Sequence, residues 1–373
     1  MKLALISQSF EEHKGGAEKF SSELARYLIK KGLDIKLFAR KIEALDLKPY
    51  GVEIKIPKKP PFFRILTLAY TGLYLAKRWK ADRIFALMPL PEGDFYWLAG
   101  GVYSNWLKIR YPSIIKRTIV CFFRPHFLLN IFFQKKCITS PHLKKIITNS
   151  ELEKEIAIKA FNISPEKIVV IPNGIDLSRF NLSVRVNRNK IREILGLNKN
   201  AKIILFTGNN FKRKGLETII KALARLKNFS NLYLLVAGKD KTTNYFIKLS
   251  QKLGVAEKIK FLGYVKELEK IYGTADIFVF PSQYDSFASV VLEAMACGLP
   301  VITTKTNGAS MIINHGEEGF ILKRWDDDKL LAEYIVKTLK NSEEMGFKAY
   351  QKALNYSAEN CFEKYYHVLV ADL

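Results

Sequence analysis

"AKIILFTGNNFKRKGLETIIKALARLKNFSNLYLLVAG" (201–238) holds the pattern that decides the fold. Its first apolar run, 201–208, is short, rich in β-branched and aromatic residues, and closed by a glycine, as a buried strand is. "GLETIIKALARLK" (215–227) then repeats its apolar residues at helical spacing. "NLYLLVAG" (231–238) is a second strand closed by glycine. Strands joined through a helix lie parallel, because a parallel pair needs a long crossover.

The same alternation runs outward in both directions. Downstream come "NYFIKLSQKLG" (244–254), "IKFLGY" (259–264), "DIFVFPS" (276–282), a helix holding Glu293, and "PVITTKT" (300–306). Upstream lies a separate series: "KLALIS" (2–7), "AEKFSSELARYLIKKG" (17–32), "DIKLFAR" (34–40), "RIFAL" (83–87) and "KKIITNS" (144–150). The polar stretch "IPNGIDLSRFNLSVRVNRNKIREILG" (171–196) separates the two. The expectation is α/β: two doubly wound domains facing a cleft, with ligands at the carboxyl ends of the strands. Boundaries are expected at 1–172, a linker 173–200, 201–352, and a C-terminal helix at 353–373 crossing back to the first domain.

Composition agrees. At 373 residues the chain exceeds what one core usually organises. Cys121, Cys137, Cys297 and Cys361 are far apart and form no CxxC pair, which argues against a zinc knuckle or disulfide framework and for a reducing cytosol. "MKLALISQSF" has too short an apolar run for a signal peptide and reads as the first strand. The net charge of +24 points to an anionic partner. Between Phe95 and Ser150 there is no Asp or Glu, against nine Lys/Arg and eleven aromatics.

Three motifs carry chemistry. "HKGGAEKF" (13–20) joins the first strand to the first helix, where Gly15 and Gly16 let the backbone approach a phosphate. A plain tight turn accounts for it equally well. "TGNNFKRKGLETI" (207–219) lacks the P-loop spacing, but Arg213 and Lys214 stand at a helix start, where a diphosphate would be favoured. The bland alternative is a solvated basic turn. "YDSFASVVLE" (284–293) follows a strand and sets Asp285 and Glu293 eight positions apart. With a helix beginning near Ser286, position eight is rotated only ~80° from position zero. Both acids then flank one side, and the amides of Phe287, Ala288 and Ser289 are first-turn donors. A ligand anionic in the middle and hydroxylated at both ends fits, as a nucleotide sugar is. Helix capping by Asp285 is the alternative.

Taken together, "GGAEKF", "IPNGID", "GNNFKRKG", "FLGYV" and "SQYDSFASVVLEAMACGLPVITT" resemble the family 4 retaining glycosyltransferases of GT-B fold. "ADRIFALMPLPEGDFYWLAGGVY" and "LLVAGKDKTTNYFIKLSQKLGV" are similar to the lipopolysaccharide-core glucosyltransferases among them. The resemblance spans nearly the whole chain. It implies that Arg213 and Lys214 clamp the donor diphosphate, with Gly15 and Gly16 nearby. It further implies that Glu293 holds the ribose, Asp285 contacts the donor hexose, and the backbone at Val265 reads the base. It implies no metal and no cofactor beyond the nucleotide sugar, UDP-glucose in the first instance, as substrate.

Two departures qualify this. Asp285 stands where the family has Glu, so its carboxylate reaches ~1.5 Å less far. Gly100–Gly101 stand where the subgroup often has an acid. No catalytic base is therefore assigned; His13 and Asp94 are weak candidates.

Residues 103–136 are too short and too charged in their apolar part to span a bilayer, but suit its surface. Trp106, Lys108, Arg110, Lys116, Arg117 and Arg124 are the expected membrane contacts. The alternative is that Phe122, Phe123, Phe127, Phe132 and Phe133 pack internally. The expected function is hexose transfer, glucose favoured, from a nucleotide sugar to an anionic glycolipid such as lipopolysaccharide core. The expected place is the inner face of the cytoplasmic membrane, as a peripheral protein. A sugar phosphorylase or nucleotide-sugar epimerase on the same fold is the alternative chemistry. A basic nucleic-acid- or membrane-binding protein is the alternative class, although no nucleic-acid motif accompanies the charge. The oligomeric state is left open.

Overall fold

Each half of the chain builds its own parallel sheet. The computed structural model describes residues 1–11, 16–56 and 60–371. One unit comprises Met1–Ile171 with Phe362–Leu373; the other is Pro172–Cys361.

In the first unit the strands are β1 (Lys2–Ile6), β2 (Asp34–Ala39), β3 (Gly51–Glu53), β4 (Arg83–Ala86), β5 (Phe95–Trp97), β6 (Lys145–Thr148) and β7 (Ile168–Val170). They lie in the order β3-β2-β1-β4-β5-β6-β7. Pairing is parallel, running from Lys2↔Asp34 to Ile6↔Phe38 between β1 and β2. Around the sheet stand α1 (Gly16–Lys30), α2 (Pro61–Arg78), α3 (Tyr103–Arg110), α4 (Ile114–Phe123), α5 (His126–Ile138) and α6 (Glu151–Phe161). Ala4, Ile6, Phe38, Ala86, Tyr96 and Ile146 fill the core beneath α2 and α5.

The second unit has β8 (Lys202–Thr207), β9 (Leu232–Ala237), β10 (Ile259–Gly263), β11 (Ile277–Phe280), β12 (Val301–Thr304) and β13 (Gly319–Leu322), in the order β10-β9-β8-β11-β12-β13. Its helices are α7 (Arg188–Ile194), α8 (Leu216–Arg225), α9 (Thr243–Lys252), α10 (Leu268–Thr274), α11 (Ser289–Ala296), α12 (Asp328–Lys340) and α13 (Ser342–Ala353). On α8, Leu216, Ile219, Ile220 and Leu223 are fully buried, the i, i+3, i+4, i+7 face that the sequence shows. Burying each such side chain stabilises by about 1.5–3 kcal/mol. In both sheets the strand order reverses beside the first strand, so a crevice opens at the carboxyl ends of β1 and β4, and of β8 and β11.

Residues 173–200, read from the sequence as a linker, fold within the second unit. Two arginines explain why. Arg192, 3% exposed, donates to Asp276 Oδ2 at 2.9 Å and to the Thr274 carbonyl, while Arg188 takes Asp276 Oδ1 at 2.6 Å. Burial, followed by the charge of Arg188, lowers the Arg192 pKa from its ordinary value, and Asp276 opposes both. The last helix, α14 (Ala358–Val370), begins in the second unit, and from Phe362 onward it belongs to the first. There Trp97 Nε1 donates to the Tyr365 hydroxyl at 3.0 Å, and Arg83 donates to the carbonyls of Leu369 and Ala371 at 2.6 and 2.9 Å.

Candidate active site

The carboxyl ends of β8, β9 and β10 are stripped of side chains. Gly208, Gly238 and Gly263 follow or end these strands with φ of 136°, 138° and 65°, where a Cβ is strained. The Gly208 amide donates to Ala237 O at 2.9 Å and the Gly238 amide to Gly263 O at 2.7 Å. A Cβ on Gly238 would run into the Gly208 carbonyl. A Cβ on Gly208 would stand 2.7 Å from Lys214 Nζ, so the lysine ammonium lies across that glycine.

The loop after β8 holds Lys214 there. Phe211 is buried, its amide donates to Asp240 Oδ2 at 2.9 Å, and the Lys214 amide donates to Asn210 O at 3.1 Å. Lys214 Nζ sits 5.1 Å from the centre of the Phe280 ring, a cation–π contact. Burial lowers the Lys214 pKa from its ordinary value. Asp285 and Glu293 pull it back up and Arg213 pushes it down, so all four groups share one electrostatic neighbourhood. Among the described residues the Lys214 ammonium makes no hydrogen bond or ion pair. Arg213 instead donates to the Tyr284 carbonyl and, at 3.3 Å, to Asp285 Oδ2.

Asp285 is fixed by its backbone. Its amide donates to Thr306 O at 3.1 Å and its carbonyl accepts the Gly308 amide at 2.8 Å, forming a bridge with Asn307. Asn307, fully buried, accepts the amides of Ala288 at 3.2 Å and Ala309 at 3.1 Å and donates to Thr303 Oγ1 at 3.0 Å. This corrects one expectation. Helix α11 begins at Ser289 rather than near Ser286, and the Ala288 amide is taken by Asn307 instead of being left for a ligand. The bridge at Asp285 keeps the next residues extended, which delays the helix. Phe287 and Ala288 are buried, and the Ser289 hydroxyl accepts Asn173 Nδ2, from the "PNG" turn, at 3.2 Å. Glu293, half-buried on α11, accepts the Tyr272 hydroxyl on Oε2 at 2.9 Å.

Val265 is half-buried against the core just past Gly263. Gly16 opens α1 with free space where a Cβ would stand; Gly15 and His13 lie outside the described residues. Asp94 is placed away from the strand carboxyl ends. It precedes β5, and its carboxylate accepts the amide of Ile84, near the start of β4, at 2.7 Å. Beside Gly100–Gly101 the structure supplies an acid that the sequence reading passed over. Glu153 is fully buried, and its Oε2 accepts the Val102 amide at 3.2 Å. Tyr272 and Asn307 were passed over too. Both sit in runs that read as ordinary core and turn, and Asn307 is signalled only by following a strand end.

The basic aromatic segment divides. Phe127 and Phe133 are buried, whereas Phe122, Phe123 and Phe132 are exposed, the first two by 79% and 76%. With Ile114, Ile115 and Ile119, Phe122 and Phe123 make α4 an outward apolar face, which Lys116 and Arg124 flank at the surface. Lys108 and Arg110 are exposed; Arg117 is half-buried and donates to Tyr111 O at 3.4 Å. Trp106 is half-buried against Phe127, with the Arg110 guanidinium 5.0 Å from its ring. Among the described residues no helix is long and apolar enough to cross a membrane.

Residues 14–179 match the family described as Glycosyltransferase Family 4, and residues 187–358 match Glycosyl transferases group 1. An uncharacterized glycosyltransferase of Methanocaldococcus jannaschii is 32% identical over 59% of this chain and 56% of its own. The chain spans little more than half the length of the first such relatives. The lipopolysaccharide glucosyltransferase WaaG of Escherichia coli K12 is 26% identical over 71% of this chain and 70% of its own. A crystal structure of WaaG superposes with a TM-score of 0.80 at 21% identity, covering 99% of this chain and all of that one. HepE of Anabaena, crystallised with UDP, gives 0.72 at 21% identity over 99% of each chain.

Proposed function

Given that the chain belongs to the family 4 glycosyltransferases of GT-B fold, close to the lipopolysaccharide-core glucosyltransferases, we propose that it moves a hexose, with retention, from a nucleotide sugar to an anionic glycolipid. Glucose and UDP are the favoured donor components, and lipopolysaccharide core the favoured acceptor class. The observation that carries this reading is Lys214. A half-buried ammonium with no hydrogen bond or ion pair among the described residues lies across a glycine at a strand carboxyl end, with Arg213 beside it. Such a cation gains most from a doubly charged ligand that enters the same crevice.

In this reading Lys214 and Arg213 take the diphosphate and offset the charge that builds on it as the sugar leaves. Glu293 accepts the ribose hydroxyls and Asp285 the hydroxyls of the hexose. The bond from C1 to the phosphate oxygen breaks, and the acceptor oxygen bonds to C1 on the same face. The departing phosphate takes the acceptor's proton, so no protein base is required at that step. Charge neutralisation is assigned to the basic pair and needs no metal ion. UDP in the Anabaena neighbour and the glucosyl activity named for WaaG support the donor choice.

The α4 face supports a peripheral place on an anionic membrane: exposed Ile and Phe enter the headgroup boundary, and Lys116 and Arg124 meet lipid phosphates. That would bring a lipid-borne acceptor to the enzyme at the cytoplasmic surface.

The test is direct transfer. The protein is incubated with UDP-glucose and a phosphorylated lipopolysaccharide-core acceptor lacking its glucose, and the product is analysed by proton NMR. Formation of an α-glucoside supports the reading. Release of glucose 1-phosphate in the presence of inorganic phosphate, or epimerised UDP-sugar, would replace it with one of the alternative chemistries.

A further inference from the structure

Tyr272 is a tyrosine where the packing asks only for a phenylalanine. Its ring is fully buried at the end of α10, edge-on to Phe180 with centroids 5.9 Å apart and tilted on Phe278 at 5.8 Å. Its hydroxyl, however, meets three oxygens: Glu293 Oε2 at 2.9 Å, Thr207 Oγ1 at 3.1 Å and the Val290 carbonyl at 3.3 Å. A buried hydroxyl needs one good partner, not three. The hydroxyl carries one proton, and the strongest acceptor in reach is the carboxylate, at the shortest distance. The Tyr272 proton therefore goes to Glu293. The Thr207 hydroxyl, in turn, donates to the Tyr272 oxygen. Burial and the Glu293 charge both push the Tyr272 pKa well above its ordinary value, so it remains a donor at any working pH.

The chain Thr207→Tyr272→Glu293 joins two parts of the site. Thr207 is the last residue of β8, directly before the Gly208 that underlies Lys214. Glu293 stands on α11. We propose that Tyr272 is a positioning residue for the donor ribose: with Thr207 behind it, it holds the Glu293 carboxylate in the rotamer that receives the ribose hydroxyls. This rests on reading Glu293 as the ribose ligand. A glutamate held before the ligand arrives loses no further side-chain freedom on binding, and a second group locked by packing makes the first precise. The role concerns the nucleoside alone. It leaves the diphosphate to Lys214 and Arg213, so its removal separates ribose recognition from phosphate recognition.

The experiment uses whichever of UDP, GDP and ADP binds the wild type most tightly, together with its 2′-deoxy counterpart, by calorimetry. The wild type is expected to favour the ribonucleotide by about 10-fold, the worth of one hydrogen bond to a charged group. Tyr272→Phe is expected to bind the deoxynucleotide within about two-fold of wild type while the ribose preference shrinks to about two- or three-fold. In steady state KM for the nucleotide sugar rises several-fold with kcat nearly unchanged. Thr207→Val, which keeps the shape and removes the donor behind Tyr272, moves the preference in the same direction by less, and serves if Tyr272→Phe does not fold. Equal weakening of ribo- and deoxynucleotide, or an unchanged preference in both variants, overturns the positioning role. A wild type that binds nucleotides with no ribose preference, or binds none of the three, overturns the reading of Glu293 itself, and that result is seen before any variant is made.

Discussion

The guanidinium of Arg213 donates to the Asp285 carboxylate at 3.3 Å, so a cation expected to hold the diphosphate and an acid expected to hold the sugar hold each other. Arg213 is also tied to the Tyr284 carbonyl, and Asp285 is tied through its backbone to Thr306 and Gly308. Asp285→Ala is expected to leave UDP binding unchanged or up to about three-fold tighter, because Arg213 is released to the diphosphate, while discrimination among UDP-hexoses falls about 10-fold. Competition binding against UDP-glucose, UDP-galactose and free UDP measures both. Equal loss for the free nucleotide and the nucleotide sugars would contradict a sugar-facing role.

Lys214 sets a pH dependence with a definite sign. Its pKa in the free protein is depressed, chiefly by burial. A bound diphosphate stabilises the ammonium and raises that pKa again. Nucleotide affinity is therefore greatest below the depressed value and falls as pH rises through it, with proton uptake on binding in that range. Lys214→Arg is expected to flatten the alkaline limb, since a guanidinium does not deprotonate there. Lys214→Ala is expected to weaken UDP by 10- to 100-fold and to be flat. Calorimetry in two buffers of different ionisation heat reads the protons. Without ligand the sign for folding is opposite. The native state penalises the charged form, so this group's contribution to stability improves as pH rises from the depressed value towards 10.5.

Asp276 holds Arg188 and Arg192 and also accepts the Ile203 amide at 2.7 Å. Its removal leaves a buried guanidinium without its carboxylate. Asp276→Ala is expected to cost about 3–5 kcal/mol in urea unfolding of the intact chain. A cost below about 1 kcal/mol would mean that the Asp276 ion pairs are not what holds residues 173–200 to the second unit.

The α4 face gives a membrane prediction. Phe122→Glu with Phe123→Glu changes two exposed side chains, so the melting temperature should hold within a few degrees, while sedimentation with anionic vesicles falls at least several-fold. Wild-type binding should weaken as salt rises and be poor on neutral vesicles. Equal binding to neutral and anionic vesicles would remove the electrostatic part of the proposal.

The long runs around 2–7, 201–208 and 231–238 were legible because a buried parallel strand is apolar throughout and ends in turn chemistry. The three-residue strands β3, β5 and β7 were not: they carry no periodicity and exist because a neighbour offers a ladder, as in Leu37↔Gly51 and Phe95↔Lys145. Arg213, Lys214, Asp285 and Glu293 were legible as charged residues in the loops and helix that follow two strands, and the structure brings them into one neighbourhood. What escaped were partners set by distant chain. Asn307 stands 22 positions from Asp285 and delays the helix whose start looked local. Tyr272 lies in a run that reads as core, and only its hydroxyl's contact with Glu293 distinguishes it. The polar run 173–200 looked like a linker because its charges have no partner nearby in sequence; Asp276 supplies one from across the unit.

The claim underlying all of this is that Lys214, Arg213, Asp285 and Glu293 form a nucleotide-sugar site. A thermal-shift titration of the intact protein with UDP, GDP, ADP and their glucose conjugates asks it most simply. A ligand at 100 times its Kd adds about 2.7 kcal/mol to the unfolding free energy. At least one of these nucleotides, UDP or UDP-glucose in the first instance, should raise the melting temperature of the wild type and raise that of Lys214→Ala by about half as much or less at the same concentration. No shift with any nucleotide, or the same shift in both proteins, would contradict the assignment.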